Sequence, residues 1–158
     1  MLMCFAVSIK YDQIIVNQIE EYFSQFQITK FKENSEIIFT FADQRPFLPV
    51  IKDSKITLYD WGNRGNLLKG LPPTGWARYE SLTQGKWDWL KPKVVLIPAL
   101  RACEKKVWFA PEHMIKGVLV NYQSVVRIYM ITQSATDEYQ ALTKHHRMPR
   151  YHLVNPAK

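Results

Sequence analysis

The run Val125-Val126-Arg127-Ile128-Tyr129-Met130-Ile131-Thr132 is the strongest strand-forming stretch of the chain, and shorter runs of the same character surround it. β-branched and aromatic residues fit a pleated, half-buried surface. Cys4 to Ile9, Ile37 to Phe41, Ile56 to Trp61, Val94 to Ile97, Val107 to Phe109 and Gly117 to Val120 read as further strands. Arg45 to Ile51 is extended, because Pro46 and Pro49 each hold the preceding residue in β or polyproline geometry. Helical spacing is confined to two places. From Tyr11 to Phe26, Ile14, Ile15, Ile19, Tyr22, Phe23 and Phe26 recur on one face behind Asp12 as N-cap. Thr136 to Lys144 predicts a second helix, capped by Thr136 and turning Tyr139 and Leu142 inward. Between Gly62 and Gly85, glycines and prolines alternate with Arg64, Lys69 and Arg78, which reads as a long, basic, irregular loop. Tyr151 to Lys158 reads as a short strand and a tail, and the chain carries no internal repeat.

A chain of 158 residues fits a single domain over 1–158 and buries roughly two-thirds of its unfolded surface. No apolar run approaches the ~20 residues of a membrane span, and the apolar start Met1 to Val7 lacks the basic residues of a signal peptide. A cytoplasmic or nucleoid-associated protein is expected. Cys4 and Cys103 are the only cysteines, with no CxxC pair, so neither a disulfide scaffold nor a metal site is expected. Lysine and arginine exceed the acidic residues to give a net charge of +7, alongside five Trp and eight Tyr. Cations that neutralise phosphates and aromatic faces that stack on unpaired bases suit a nucleic-acid surface. Solubility and core packing would account for the same residues.

The densest group of proton carriers and anion binders is Lys144-His145-His146-Arg147-Met148-Pro149. His145 and His146 suit a proton shuttle or a phosphate contact better than a metal, since no acidic partner is near them in sequence. Cys4 is a candidate nucleophile, or an inert core thiol. With a free amine it is a vicinal aminothiol, which condenses with an aldehyde and closes to a thiazolidine. As numbered it follows Met1, Leu2 and Met3, and a chain starting at Met3 would expose it after methionine removal. Glu104, beside Lys105 and Lys106, is either an acid/base group or a surface carboxylate.

Taken in order, these pieces resemble the SOS-response-associated peptidase (SRAP) family, whose members shield abasic sites in single-stranded DNA. The matches are Met3-Cys4, Leu48-Pro49-Val50-Ile51, Trp61-Gly62, Trp76-Ala77-Arg78-Tyr79-Glu80, Leu96-Ile97-Pro98-Ala99 followed by Glu104, Gly117-Val118-Leu119, Tyr129-Met130-Ile131-Thr132 and His145-His146-Arg147-Met148-Pro149. The resemblance implies an α+β domain with a β-rich, barrel-like core, a few peripheral helices and a basic groove. It implies that Cys4 forms a thiazolidine crosslink with the opened sugar of an abasic site, with Glu104 as acid/base and His145 moving protons. Arg78 and Arg147 would hold phosphates, and Trp61 and Trp76 would lie at the DNA. No cofactor is implied, the partner is abasic single-stranded DNA, and a monomer is expected. The same thiol and amine imply autoproteolytic removal of residues 1–3. The family's motif asparagine falls at Trp76, which leaves open a relative that binds single strands without covalent chemistry. A thiol hydrolase using Cys4 and His145 is the remaining alternative.

Overall fold

The computed structural model describes residues 5–153. The chain opens with β1 (Phe5–Lys10), and Asp12 then starts α1 (Gln13–Ile19), its carboxylate accepting from the Ile14 N–H at 2.8 Å and the Ile15 N–H at 3.3 Å. The single helix expected to Phe26 is broken. A 3-10 turn over Glu20–Tyr22 ends in extended Phe23, and Ser24 begins α2 (Gln25–Asn34) with a capping box to Gln27. A cap of this kind contributes about 0.5–2 kcal/mol, so a new helix start outcompetes the apolar periodicity running through it.

The remaining elements are β2 (Glu36–Thr40), β3 (Phe47–Lys52), β4 (Lys55–Asp60), β5 (Trp76–Arg78), α3 (Tyr79–Thr83), β6 (Lys93–Ile97), β7 (Arg101–Glu104), β8 (Val107–Phe109), β9 (Ile115–Tyr122), β10 (Val125–Ser134), α4 (Asp137–Thr143) and β11 (Arg147–Pro149). They build two sheets, β2-β1-β7-β8 and β11-β10-β9-β6-β3-β4, with β5 pairing parallel to β10. The α+β, strand-rich architecture is the expected one. Among the described residues no ladder closes either sheet; a single bridge from Trp61, just after β4, to Ile128 of β10 falls short of one, so the core is a pair of open sheets and not a closed barrel.

The main core lies where β1 and β2 contribute Phe5, Val7, Ile9, Ile37 and Phe39 and the second sheet contributes Leu48, Val50, Ile97, Ile115, Ile128 and Met130. Alternation along β10 sends Ile128 and Met130 to this core and Tyr129 and Ile131 to a second one. There Val118, Val120, Tyr129 and Ile131 are covered by Leu71, Ala77, Trp87 and Leu90. The irregular stretch after Gly62 is therefore largely a lid on the other face of the sheet. Buried Asn63 folds it, donating to the Leu68 and Leu71 carbonyls at 2.8 and 3.0 Å and accepting from the Leu68 N–H at 3.0 Å. Gly75 lets the lid approach closely: a Cβ there would meet Trp61 Nε1 at 2.7 Å and the Phe41 ring at 2.8 Å.

Three hairpins turn on two residues that both have positive φ: Asp53-Ser54, Lys105-Lys106 and Gln123-Ser124. Such primed turns match the twist of the flanking strands, although non-glycine residues adopt them at a cost of ~1–2 kcal/mol each. The Lys105-Lys106 turn follows Glu104 directly. Leu142, expected inward on α4, is 51% exposed, whereas Tyr139 is buried as expected. No helix of the described residues is long and apolar enough to cross a membrane.

Candidate active site

Glu104 is the last residue of β7 and pairs with Phe5 across the β1–β7 ladder, while Ala6 pairs with Cys103. Cys4, the expected nucleophile, lies outside the described residues. His145 reaches the same place from α4. The helix ends on Lys144 in a left-handed conformation, and Thr143 Oγ donates to the Tyr139 carbonyl at 2.9 Å while accepting from the His145 N–H at 3.2 Å. Lys105 Nζ donates to the Lys144 carbonyl at 3.2 Å, tying the β7–β8 turn to the helix end. These contacts put His145 Nε2 3.7 Å from Glu104 Oε1, with the residues 7% and 0% exposed.

That separation is too long for a hydrogen bond, and burial shapes how the pair shares charge. Desolvation pushes the Glu104 carboxyl up to about 7, against the pull of Lys105. Burial also pushes the His145 imidazole down, a hydrogen bond to the Arg147 backbone opposes this, and Lys105, His146 and Arg147 add repulsion. Near neutral pH the pair is thus closer to one shared proton than to an ion pair.

Two placements of that proton fit the surroundings. His145 Nδ1 lies 3.0 Å from the Arg147 carbonyl and 3.1 Å from the Arg147 N–H. A proton on Nδ1 donates to the carbonyl and leaves an Nε2 lone pair facing protonated Glu104. A proton on Nε2 lets Nδ1 accept from the Arg147 N–H and faces the carboxylate. An imidazole with both options is suited to relay a proton.

Arg147 is buried and held from two sides. Its guanidinium makes two hydrogen bonds to Glu80, at 3.1 and 2.9 Å, and two more to Thr132 O and Oγ, at 2.9 and 3.2 Å. The Arg147 hydrogen bond comes first among the causes that lower the Glu80 carboxyl to about 2. Glu80 thus anchors the motif arginine; its place in Trp76-Ala77-Arg78-Tyr79-Glu80 was the sequence signal for it. Arg78 differs, being exposed on β5.

Arg147 and His146 also line a cleft of about 670 Å³ with Phe41, Trp76, Trp87 and Arg78. Trp61 lies beneath it, buried, its indole N–H donating to the Gly75 carbonyl at 2.9 Å. The Trp76 ring sits edge-on to Phe41 and Trp61, with centroids 4.9 and 5.8 Å away. The His145 and His146 rings stack with an interplanar angle of 13°. Among the described residues no cluster of His, Cys, Asp and Glu has the makings of a metal site.

The structure therefore brings Glu104 to His145, bonds His145 to the Arg147 backbone, and places Arg78 and Trp76 on the adjoining cleft, with buried Trp61 packed against Trp76. Sequence reasoning missed Thr143 and the proximity of Tyr139, neither of which belongs to a recognisable motif, and it gave Thr132 only as the end of a matched strand. Compared with known proteins, the chain matches no family model, no curated protein and no solved structure.

Proposed function

We propose that the chain binds single-stranded DNA and captures abasic sites covalently through Cys4, as the SRAP resemblance implies, its two open sheets being an SRAP-type core. The observation that carries the reading is the buried Glu104–His145 pair, built from residues 41 positions apart and set opposite Phe5, the residue covalently next to Cys4. An acid and an imidazole sharing a proton near neutral pH suit a reaction that both takes up and releases protons.

In that reaction the Cys4 amine adds to the aldehyde carbon of the ring-opened deoxyribose, forming a C–N bond. The carbinolamine oxygen takes a proton from Glu104 and leaves as water, and the iminium nitrogen returns a proton to the Glu104 carboxylate to give the imine. The Cys4 sulfur then adds to the imine carbon, forming a C–S bond, and the imine nitrogen is protonated as the thiol gives up its proton. One water is lost overall. His145 relays protons during sugar opening. The chemistry needs a free amine on Cys4, hence a chain that begins there after loss of the preceding residues. Exposed Arg78 is available to a phosphate, whereas Arg147, held by Glu80 and Thr132, serves the site chiefly as its anchor.

Incubation of protein bearing a free Cys4 amine with abasic single-stranded DNA is expected to give a heat-stable adduct on a denaturing gel, absent with Cys4→Ala. Absence of an adduct with the unsubstituted protein contradicts the reading. Trp76 in the place of the family's asparagine favours a second reading, non-covalent binding to single strands. On that reading intact and abasic strands bind equally and affinity falls steeply with salt.

A further inference from the structure

We propose that Tyr139 is a positioning residue for the Glu104–His145 pair, its hydroxyl donating to the Glu104 carboxylate, directly or across one water, whenever that carboxylate is ionised.

Three observations carry this. First, Tyr139 and His145 are tied together through Thr143. The Tyr139 carbonyl is bonded to Thr143 Oγ, which in turn holds the His145 N–H, and the Tyr139 ring is fixed edge-on to Phe109 of β8 at 5.5 Å. Second, Tyr139 is 6% exposed, and its hydroxyl, although the Thr143 side chain is beside it, makes no well-formed hydrogen bond to a described residue; both carboxyl oxygens of Glu104 also lack one. Phe109, against which the Tyr139 ring lies, pairs with Ala102, two residues before Glu104 on the same face of β7; a buried polar atom left unpaired is costly, so a donor and two acceptors orphaned on this face are complementary. Third, the Glu104 charge is felt at Tyr139. Burial is the first cause that raises the Tyr139 phenol and the Glu104 charge is the next, so the phenol stays protonated and is always a donor.

The other titratable groups that act here are Lys105 in the following turn, on both Glu104 and His145; His146 and Arg147, on His145; and Cys103 and Tyr151, on Tyr139. Lys105 also favours the carboxylate, but it reaches the site from an exposed turn. Tyr139 is the neutral donor inside. The inference rests on the proposed role of Glu104 only for its effect on rate; the arrangement itself is tested without any DNA.

The test is a carbon-13 NMR titration of the Glu104 carboxyl in the natural chain and in Tyr139→Phe, which keeps the ring against Phe109. Removing a donor to the carboxylate favours its protonated form, so the midpoint is expected to rise by about one pH unit. In the natural chain the Tyr139 Cζ resonance should follow the Glu104 midpoint, a readout that needs no variant. An unchanged midpoint in Tyr139→Phe, or a Cζ resonance blind to Glu104, overturns the proposal. A shifted midpoint in a protein that forms no adduct would leave this inference standing and remove the proposed function instead.

Discussion

Replacing Glu104 by Gln is expected to stabilise the protein at pH 8 and, on the proposed function, to slow adduct formation by about a hundredfold to ten-thousandfold. The carboxyl is pushed up to about 7 in the folded chain, whereas an unfolded glutamate titrates near ~4.3. Between those values the folded chain keeps a proton that the unfolded chain releases. The stabilisation from this group is therefore full below about pH 4 and is lost as pH rises through 7. Between pH 5 and pH 8 the loss amounts to about 2–3 kcal/mol. Glutamine carries no charge at any pH, so the variant should show no such decline. His145, whose pKa is lowered by burial, contributes with the opposite sign, losing stability as pH falls, and is present in both proteins. Urea unfolding at pH 5 and pH 8 decides the point. Curves that stay parallel for the two proteins would mean that Glu104 is not a buried, strained acid.

Arg147→Met is the second large effect, an expected loss of about 2–3 kcal/mol. The substitution keeps an apolar stem of similar length but removes every donor to Glu80 and Thr132. Thr132 pairs with Arg78 of β5 and with Pro149 of β11, so the guanidinium pins three strands and α3 at one point. Glu80 is half exposed and rehydrates when the arginine is gone; most of the penalty is the buried Thr132 carbonyl left without its donor. Glu80→Gln, which keeps an acceptor, is expected to cost less than ~1 kcal/mol. The pH dependence carries a further signature. Because Glu80 is lowered to about 2, its contribution is present above the unfolded value and is lost as pH falls towards 2; Arg147→Met should flatten that acid limb. Unfolding curves at pH 5 and pH 3 measure both effects, and a variant as stable as the natural chain would show that the anchor is idle.

What the sequence made legible follows from range. Local signals read correctly: Asp12 and Thr136 cap their helices, and the run from Val125 is a long central strand. The helix break at Ser24 was missed because the apolar spacing continues through it and only the Ser24–Gln27 pair marks the stop. Strand β7 was missed because Arg-Ala-Cys-Glu has little strand propensity; pairing with β1 and β8 imposes it. That same pairing buries Glu104, which sequence alone weighed as a surface carboxylate. The stretch after Gly62 looked like a loop because its glycines and prolines conceal Leu71, Trp87 and Leu90, which cover a sheet face formed far along the chain. At the site, Glu104, His145, Arg147 and Trp76 were named from motifs; Glu80 and Thr132 stood in motifs without a stated role, while Thr143, which holds the His145 N–H, had no local pattern and emerged only with tertiary contacts.

Cys4, Glu104 and His145 are asked to act together, and the intact mass of the DNA adduct tests that demand most directly. Protein with a free Cys4 amine is mixed with a short single strand carrying one abasic site, heated, and weighed. The account predicts a single species whose mass is that of the chain from Cys4 plus the oligonucleotide less one water, absent with Cys4→Ala and forming more slowly with Glu104→Gln. No adduct, or one that persists unchanged in Cys4→Ala, would contradict it.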